Sequence, residues 1–252
     1  SGSDAAELRT KAIKNGNHYI LNGEKIFITS GEFSQVLLVM ARTSEHKTRG
    51  ISAFLVEPRF QGFKVTHRDH KMGLRSSNTV ALSFEDCIVP EENLLKEEGI
   101  GFTVAMRALD GGRIGVASQA IGIAQAAFES SIKYAEQRKQ FSSKLSQFQA
   151  IQNMIANMAT RIEASRLLAL QAAELKDLGL PFTKSAAMAK YFATENAIRI
   201  CEDAVQIHGG YGYINEFPVE RYLRDVRVSA IYEGTSQVQK LVIARKCLEK
   251  VG

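Results

Sequence analysis

The sequence contains no apolar run close to the roughly 20 residues that a membrane-spanning helix needs. It also opens without a signal-peptide pattern, so we expect an intracellular protein. Ser1 stands where a methionine would open a complete chain, which leads us to expect a truncation. With 45% hydrophobic and 23% charged residues, the composition is typical of a soluble globular protein.

Cysteine and clustered positive charge are also scarce. The three cysteines, Cys87, Cys201 and Cys247, are odd in number and lack CxxC spacing, which argues against a zinc site or a disulfide framework. Inert thiols in a reducing compartment are expected. The net charge is +5, but the densest basic stretch, 64–75, is interrupted by Asp69. A solvated surface of mixed charge is the default interpretation, and a ligand rich in phosphate comes next.

The residues before Pro90 form short apolar runs separated by turn residues. Asn22-Gly23 lies between two such runs and predicts a hairpin, because both residues tolerate the positive φ of tight turns. Asn15-Gly16 marks an earlier turn. Strands at this spacing predict a small antiparallel β-barrel or sandwich. The apolar runs are 18–21, 25–29, 36–41, 51–56 and 80–84.

After Pro90 the pattern becomes helical, and Pro181 is the only proline before Pro218. Apolar residues at helical spacing predict long helices with short links, and hence an antiparallel bundle. The fold class is therefore α+β. The predicted helices cover about 101–140, 147 onward, 183 to Gly209-Gly210, and 235–249.

Three segments of this second half carry unusual chemistry. Two adjacent glycines in Leu109–Arg113 cost a helix about 2 kcal/mol relative to alanine. Close helix packing, a helix boundary, or a flat ligand against the backbone each explain them. Asp110 and Arg113 point to the same side, and a surface ion pair is their simplest interpretation. The second segment, 206–213, is either an ordinary helix stop or a glycine loop whose N–H groups face a ligand, with His208 more typical of a structural histidine.

The third segment, Ile231–Gln237, places Glu233 before Gly-Thr-Ser, which resembles a helix start capped near Thr235. One interpretation is that Glu233 merely favours the positive end of that helix. The other is a general base whose pKa is raised when a bound ligand excludes water. The segment alone leaves both open.

Taken in order, these motifs resemble the acyl-CoA dehydrogenase family, closest to its short-chain members, over essentially the full chain. The segments that carry the resemblance are Ser1–Asp4, Ile28-Thr29, Phe84–Asp86 with Val89-Pro90, Leu109–Arg113, Arg138–Phe141, Gln206–Gly212, Arg224-Asp225 and Ile231–Gln237.

The resemblance implies a middle β domain over 1–95 and a C-terminal four-helix bundle over 96–252, with the family's N-terminal helical domain absent. It implies FAD-dependent dehydrogenation of an acyl-CoA to a trans-2-enoyl-CoA, with electrons passed to an electron-transfer flavoprotein. Bacterial proteins of this kind are expected in the cytoplasm and eukaryotic ones in the mitochondrial matrix. No metal, nucleic acid or membrane span is expected.

By motif, Glu233 is the implied catalytic base. Substrate contacts are implied at Ser3, Asp110, Arg113 and Gly234. Several FAD contacts match positions that hold the adenine end partly across a subunit boundary, which implies a homodimer or homotetramer. The implied FAD contacts are Ser3, Phe27, Ile28, Thr29, Arg138, Phe141, Gln149, Gln206, Gly209, Gly210, Thr235 and Gln237.

The chain departs from the family pattern at Phe27, where most members have tryptophan, so the contact of an indole N–H is lost. Some relatives carry the base directly before the arginine of the Leu-Asp motif, where this chain has Gly112, and only Glu233 then remains. The alternatives are an acyl-CoA oxidase that uses oxygen, and a non-catalytic binding module or fragment.

Overall fold

The computed structural model describes residues 2–249, so Ser1 of the first motif lies outside the described residues. The chain forms two compact units that divide in sequence between Ala108 and Leu109. Strand gives way to helix between Pro90 and Gly101. The domain boundary predicted at residue 95 lies within this connection.

The first unit contains one six-stranded sheet with the order β4-β3-β1-β2-β6-β5. Neighbouring strands are antiparallel except β1 and β3, which pair in parallel at Lys11 and Arg42. Short 3-10 turns lie at Ala5–Glu7 and Glu91–Asn93. The strands are β1 Lys11–Asn15, β2 His18–Thr29, β3 Leu37–Arg42, β4 Ile51–Val56, β5 Phe63–Arg68 and β6 Thr79–Pro90.

The core of this unit follows from the alternation of side chains along its strands. Tyr19 and Leu21 of β2 are buried together with Leu82 and Phe84 of β6, because residues two apart face the same side of a sheet. Tyr19 packs edge-on against Phe54 of β4, with ring centroids 4.9 Å apart. Burying large aromatic rings in this way is the main source of stability in a small sheet domain.

The hairpin predicted at Asn22-Gly23 is wrong, whereas the turn at Asn15-Gly16 is confirmed as the link between β1 and β2. β2 runs straight through Asn22, and its pairing with β6 shifts register between Leu21 and Gly23. The Asn22 amide instead exchanges two hydrogen bonds with Asp86 on β6, at 2.8 and 2.9 Å. Asn22 therefore lies opposite a β-bulge of β6, where Glu85 and Asp86 face this one residue of β2. The local sequence does not distinguish this use of Asn-Gly from a turn.

Gly23 has a φ of +135°, and a Cβ placed on it would lie 2.9 Å from the Cα of Thr10. We therefore expect Gly23→Ala to lower the free energy of unfolding by about 2–4 kcal/mol, measured by urea denaturation. Gly16→Ala is the matched control, because Gly16 also has positive φ but no atom within 4 Å of the added methyl. It should cost only about 1–2 kcal/mol. Equal losses in the two variants would contradict the steric explanation.

The second unit is helical, and its core is rich in alanine. Ala120, Ala124 and Ala127 of the first helix are buried in one cluster with Ala193 and Ala197 of the third, which indicates close approach of helix backbones. Together the sheet and the helical bundle confirm the predicted α+β class. The helices are α1 Gly101–Gln137, α2 Gln149–Asp177, α3 Thr183–His208, α4 Val219–Val226 and α5 Ser236–Leu248. A two-stranded hairpin, β7 Lys139–Gln140 and β8 Ser143–Lys144, follows α1, and 3-10 turns lie at Leu145–Gln147, Gly209–Gly212 and Arg227–Ala230.

Two of the cysteines are buried thiols. Burial raises the pKa of Cys87 to about 11 and that of Cys201 to about 12, with nearby carboxylates adding to the effect at Cys201. Both are therefore protonated and unreactive near neutral pH. Cys247 is exposed, and all three thiols are free.

Candidate active site

Glu233 lies in a tight turn immediately before α5. Its φ is 55° and that of Gly234 is 91°, so two consecutive residues adopt the left-handed conformation. For glutamate this conformation costs about 1 kcal/mol or more and persists only where surrounding contacts enforce it. Thr235 then caps α5, because its hydroxyl accepts the N–H of Val238 at 3.3 Å. The predicted helix start with a cap at Thr235 is confirmed.

Buried polar side chains hold this turn from two helices. The Gly234 carbonyl accepts hydrogen bonds from the Lys190 ammonium of α3 at 2.8 Å and from the Gln239 amide of α5 at 2.9 Å. Lys190 and Gln239 are both fully buried. The Ser236 hydroxyl adds a bond of 2.5 Å to the Glu195 carboxylate on α3. These contacts compensate for the unfavourable backbone of the turn.

The side chain of Glu233 is half-buried, and one of its carboxylate oxygens accepts no hydrogen bond from residues 2–249. Its Oε2 atom is buried and has no hydrogen-bond partner among the described residues. Burial raises the pKa of Glu233 above the ordinary glutamate range, and the positive charges of Arg113 and Lys190 oppose that rise. An ionised carboxylate with an unused lone pair and poor solvation is the arrangement expected of a general base.

Gly112 makes room for this carboxylate. A Cβ built on Gly112 would overlap Oε2 of Glu233 and lie 2.8 Å from its Cδ. The helix-boundary explanation of the glycine pair is wrong, because α1 continues to Gln137. Close helix packing does not explain the pair either, because the atoms nearest a Cβ on Gly111 or Gly112 belong to the side chains of Lys176 and Glu233.

Asp110 and Arg113 form an ion pair in which Arg113 is buried and Asp110 is half-buried, and the surface-pair interpretation is wrong. Arg113 is only 5% exposed and donates to Asp110 at 2.5 Å. The other Asp110 oxygen accepts from the Thr183 hydroxyl at 2.6 Å, which fixes the carboxylate. The Arg113 Nε–H is buried without an acceptor among the described residues. The pair therefore holds a cation near Glu233 with one donor still unused.

A separate cavity of about 570 Å³ lies in the same unit, where α3 ends. It brings together four predicted site residues: Arg138, Gln206, Gly209 and Gly210. A Cβ on either glycine would meet nothing within 4 Å, so their backbone is accessible to a ligand. The Arg138 guanidinium lies 5.4 Å from the Tyr211 ring. A cation, aromatic rings and accessible backbone suit a flat heterocycle that carries phosphate.

Tyr134 of this cavity carries no sequence motif, and two predicted contacts, Phe141 and Gln149, lie outside the cavity lining. Tyr134 lines it and stacks on His208 with ring centroids 4.3 Å apart. His208 itself is buried, and its Nδ1 lies 2.8 Å from the Ala204 carbonyl, as expected of a structural histidine. Phe141 is 88% exposed and Gln149 opens α2, and neither residue lines the cavity.

The remaining cofactor candidates differ in exposure. Phe27, Ile28 and Thr29 end β2. Phe27 lies within a second register shift, has a φ of 58° and is 70% exposed. Such irregular strand ends often present side chains to ligands. Ser3 and Gln237 are exposed as well, whereas Thr235 is half-buried and its hydroxyl caps α5.

Residues 2–249 contain neither a membrane-spanning helix nor a cluster of metal-ligating side chains. None of the helices there combines the length and apolar character that crossing a membrane requires. That part of the chain also contains no group of three or more His, Cys, Asp or Glu side chains arranged to hold a metal ion.

Comparison with known families matches almost the whole chain. Residues 1–87 match the family described as acyl-CoA dehydrogenase, middle domain. Residues 99–248 match the family described as acyl-CoA dehydrogenase, C-terminal domain. The two matches follow each other in the order of the two units.

Individual relatives are similar over nearly the full chain. A short-chain-specific acyl-CoA dehydrogenase of Clostridium acetobutylicum is 48% identical over 98% of this chain and 65% of its own length. The CarC subunit of the caffeyl-CoA reductase–Etf complex of Acetobacterium woodii is 51% identical over 99% of this chain and 66% of its own. The structure of butyryl-CoA dehydrogenase from Megasphaera elsdenii superposes with a TM-score of 0.97 at 47% identity, covering 98% of this chain and 65% of that one. The chain thus spans slightly under two thirds of the length of these relatives.

Proposed function

Since the chain belongs to the acyl-CoA dehydrogenase family, we propose that the protein dehydrogenates an acyl-CoA thioester between its α and β carbons to give a trans-2-enoyl-CoA. The observation that carries this proposal is the Glu233 carboxylate, which is half-buried, has no partner at Oε2 within residues 2–249 and is flanked by two cations. Removing a proton from a carbon next to a thioester requires such a base.

In the proposed mechanism, Glu233 removes the α-proton and Oε2 is the atom that receives it. Members of the family are FAD-dependent flavoproteins, and FAD held by this chain would supply the acceptor for the hydride that leaves the β-carbon. As the α-proton leaves, negative charge develops on the thioester oxygen, and the backbone N–H of Glu233 is the proposed donor that stabilises it. The strained turn matters here because it fixes the base and this donor in one rigid segment.

Most of the proposed substrate contacts lie around the base. We propose that Arg113 and Asp110 contact the CoA arm near the thioester, where the unused Nε–H of Arg113 finds an acceptor. Gly234 and Ser3 are the other proposed substrate contacts. A positive charge beside the thioester also favours the ionised form of Glu233, so binding and proton removal reinforce each other.

FAD is assigned to three groups of residues. The cavity around Arg138, Gln206, Gly209 and Gly210 suits the adenine end, because it combines a cation, an aromatic wall and accessible backbone. Phe27, Ile28 and Thr29 are proposed to contact the flavin ring, with Ser3, Thr235 and Gln237 as further contacts. Phe141 and Gln149 do not line the cavity of their own chain, which favours their proposed role toward a neighbouring subunit in a homodimer or homotetramer.

The proposed electron acceptor is an electron-transfer flavoprotein, in the cytoplasm of a bacterium or the mitochondrial matrix of a eukaryote.

A second candidate function is the reverse reaction, reduction of an enoyl-CoA. The observation in its favour is the 51% identity to a subunit of a caffeyl-CoA reductase–Etf complex. Glu233 would then deliver a proton to the α-carbon, which the same geometry permits.

The test is flavin spectroscopy of the full-length protein loaded with FAD and mixed with a panel of acyl-CoAs. Bleaching of the flavin absorbance by saturated acyl-CoAs is expected for a dehydrogenase. Turnover that consumes oxygen without another acceptor would instead favour an oxidase. Both directions of the proposed reaction would be contradicted if acyl-CoAs bind but no saturated chain bleaches the flavin, and if no enoyl-CoA reoxidises the reduced flavin.

A further inference from the structure

Lys190 is a buried lysine that the proposed reaction does not use. It lies in α3, is fully buried, and donates one hydrogen bond, to the Gly234 carbonyl at 2.8 Å. Transfer of an ammonium from water into a protein interior costs several kcal/mol unless nearby groups compensate. A lysine at this position therefore needs an explanation beyond packing.

Hydrogen bonding alone does not explain the charge. The Gly234 carbonyl already accepts a bond from the neutral Gln239 amide, which also reaches the Glu233 carbonyl at 3.3 Å. The turn is thus held by a neutral donor even without Lys190. What Lys190 adds is a second, charge-assisted bond, which is shorter and stronger than a neutral one.

The charges around Lys190 come from three directions. Arg113 on α1 repels it, whereas Glu233 in the turn and Glu195 on α3 attract it. Burial lowers the pKa of Lys190 to about 8, with Arg113 adding to the effect. The ammonium therefore remains protonated at neutral pH, although its pKa is well below that of an ordinary lysine. Glu195 is engaged by the Ser236 hydroxyl, which leaves Glu233 as the carboxylate with an unpartnered oxygen.

We infer that Lys190 is a positioning residue for the Glu233 base, resting on the proposed function of that glutamate. Its ammonium anchors the left-handed Glu233–Gly234 backbone through the Gly234 carbonyl, and its charge favours the ionised carboxylate. Lys190 touches neither the α-carbon nor the cofactor in this role. It acts by holding the base in place and ready to accept a proton.

The test replaces Lys190 by methionine, which keeps the length and removes the charge, in the full-length protein loaded with FAD. Removing a cation near Glu233 raises the pKa of the base, so the acid limb of flavin bleaching against pH should move upward by about half a pH unit or more. The maximal bleaching rate should fall by about tenfold, because the turn loses an anchor. The melting temperature should be unchanged or higher, since a buried charge is gone.

Lys133→Met is the matched control, because Lys133 is an exposed lysine on α1. It should leave the acid limb, the rate and acyl-CoA binding unchanged. If Lys190 is purely structural, Lys190→Met should lower the melting temperature or the flavin content and leave the acid limb where it is, and that result overturns the inference. If Lys190→Met does not fold, Lys190→Gln, which keeps a neutral donor, is judged by the same criterion.

Glu233→Gln is measured in parallel so that two failures are distinguished. Normal bleaching in Glu233→Gln would contradict the proposed function itself. If Glu233→Gln does not bleach the flavin and the acid limb of the bleaching rate in Lys190→Met stays at its original pH, only the role of Lys190 is contradicted.

Discussion

Replacing Glu233 by glutamine is expected to slow reduction of the bound flavin by acyl-CoA at least about a hundredfold. The amide keeps the size of the side chain but cannot accept the α-proton. FAD content and acyl-CoA binding should persist, because the cavity residues and the Asp110–Arg113 pair are untouched. Stopped-flow absorbance of the flavin measures the rate, and equilibrium titration of the flavin spectrum measures binding.

The pH dependence of the unaltered protein provides an internal check on this assignment. A base acts only when ionised, so bleaching should increase as pH rises through the pKa of Glu233. Burial raises that pKa, and the acid limb should therefore lie above the ordinary glutamate range. Glu174→Gln, an exposed glutamate on α2, is the matched control and should leave rate and profile unchanged. Near-normal bleaching by Glu233→Gln would falsify the assignment.

Gly112→Ala is expected to slow flavin bleaching by about ten- to a hundredfold without unfolding the protein. The added methyl group occupies the space of the Glu233 carboxylate, which is the mobile end of a flexible side chain and moves aside. A displacement of about 1 Å at a reacting group is enough for a loss of this size. Alanine is also the better helix former by about 1 kcal/mol, so the melting temperature should not fall.

Gly111→Ala is the matched control, because it makes the same change one residue earlier in α1. Its Cβ would meet only the end of the Lys176 side chain at 3.7 Å, an ordinary contact. Its rate should match that of the unaltered protein. Equal losses in both variants would point to a general effect on α1 rather than displacement of Glu233.

The same geometry permits relocation of the base. In Glu233→Gly with Gly112→Glu, the new side chain starts from the space that the old carboxylate filled. Part of the bleaching rate lost in Glu233→Gly alone should return. Recovery is expected to be incomplete, because the new carboxylate approaches the substrate from α1 and not from the turn before α5. A double variant as slow as Glu233→Gly would contradict the shared position while leaving Glu233 itself as the proposed base.

The α+β class, the long helices and the cap at Thr235 were determined by the sequence, because periodicity and capping depend on residues close together in the chain. Order and spacing of the motifs also identified the family and singled out Glu233. The turn at Asn15-Gly16 was predicted on the same local basis. Asn22-Gly23 is the same dipeptide, yet it continues β2 opposite a bulge of β6, where Asp86 bonds the Asn22 amide.

Only the tertiary structure decided which groups meet around the base. Gly112 and Glu233 are far apart in sequence, and no local pattern shows that one leaves space for the other. The Asp110–Arg113 pair is a surface motif by spacing, but packing in the second unit buries it beside Thr183. The sequence did not indicate a role for Lys190, because the apolar periodicity of α3 does not show which carbonyl a buried ammonium contacts. Burial and charge pairing arise between distant segments, and for that reason the electrostatics of Glu233 follow from the fold.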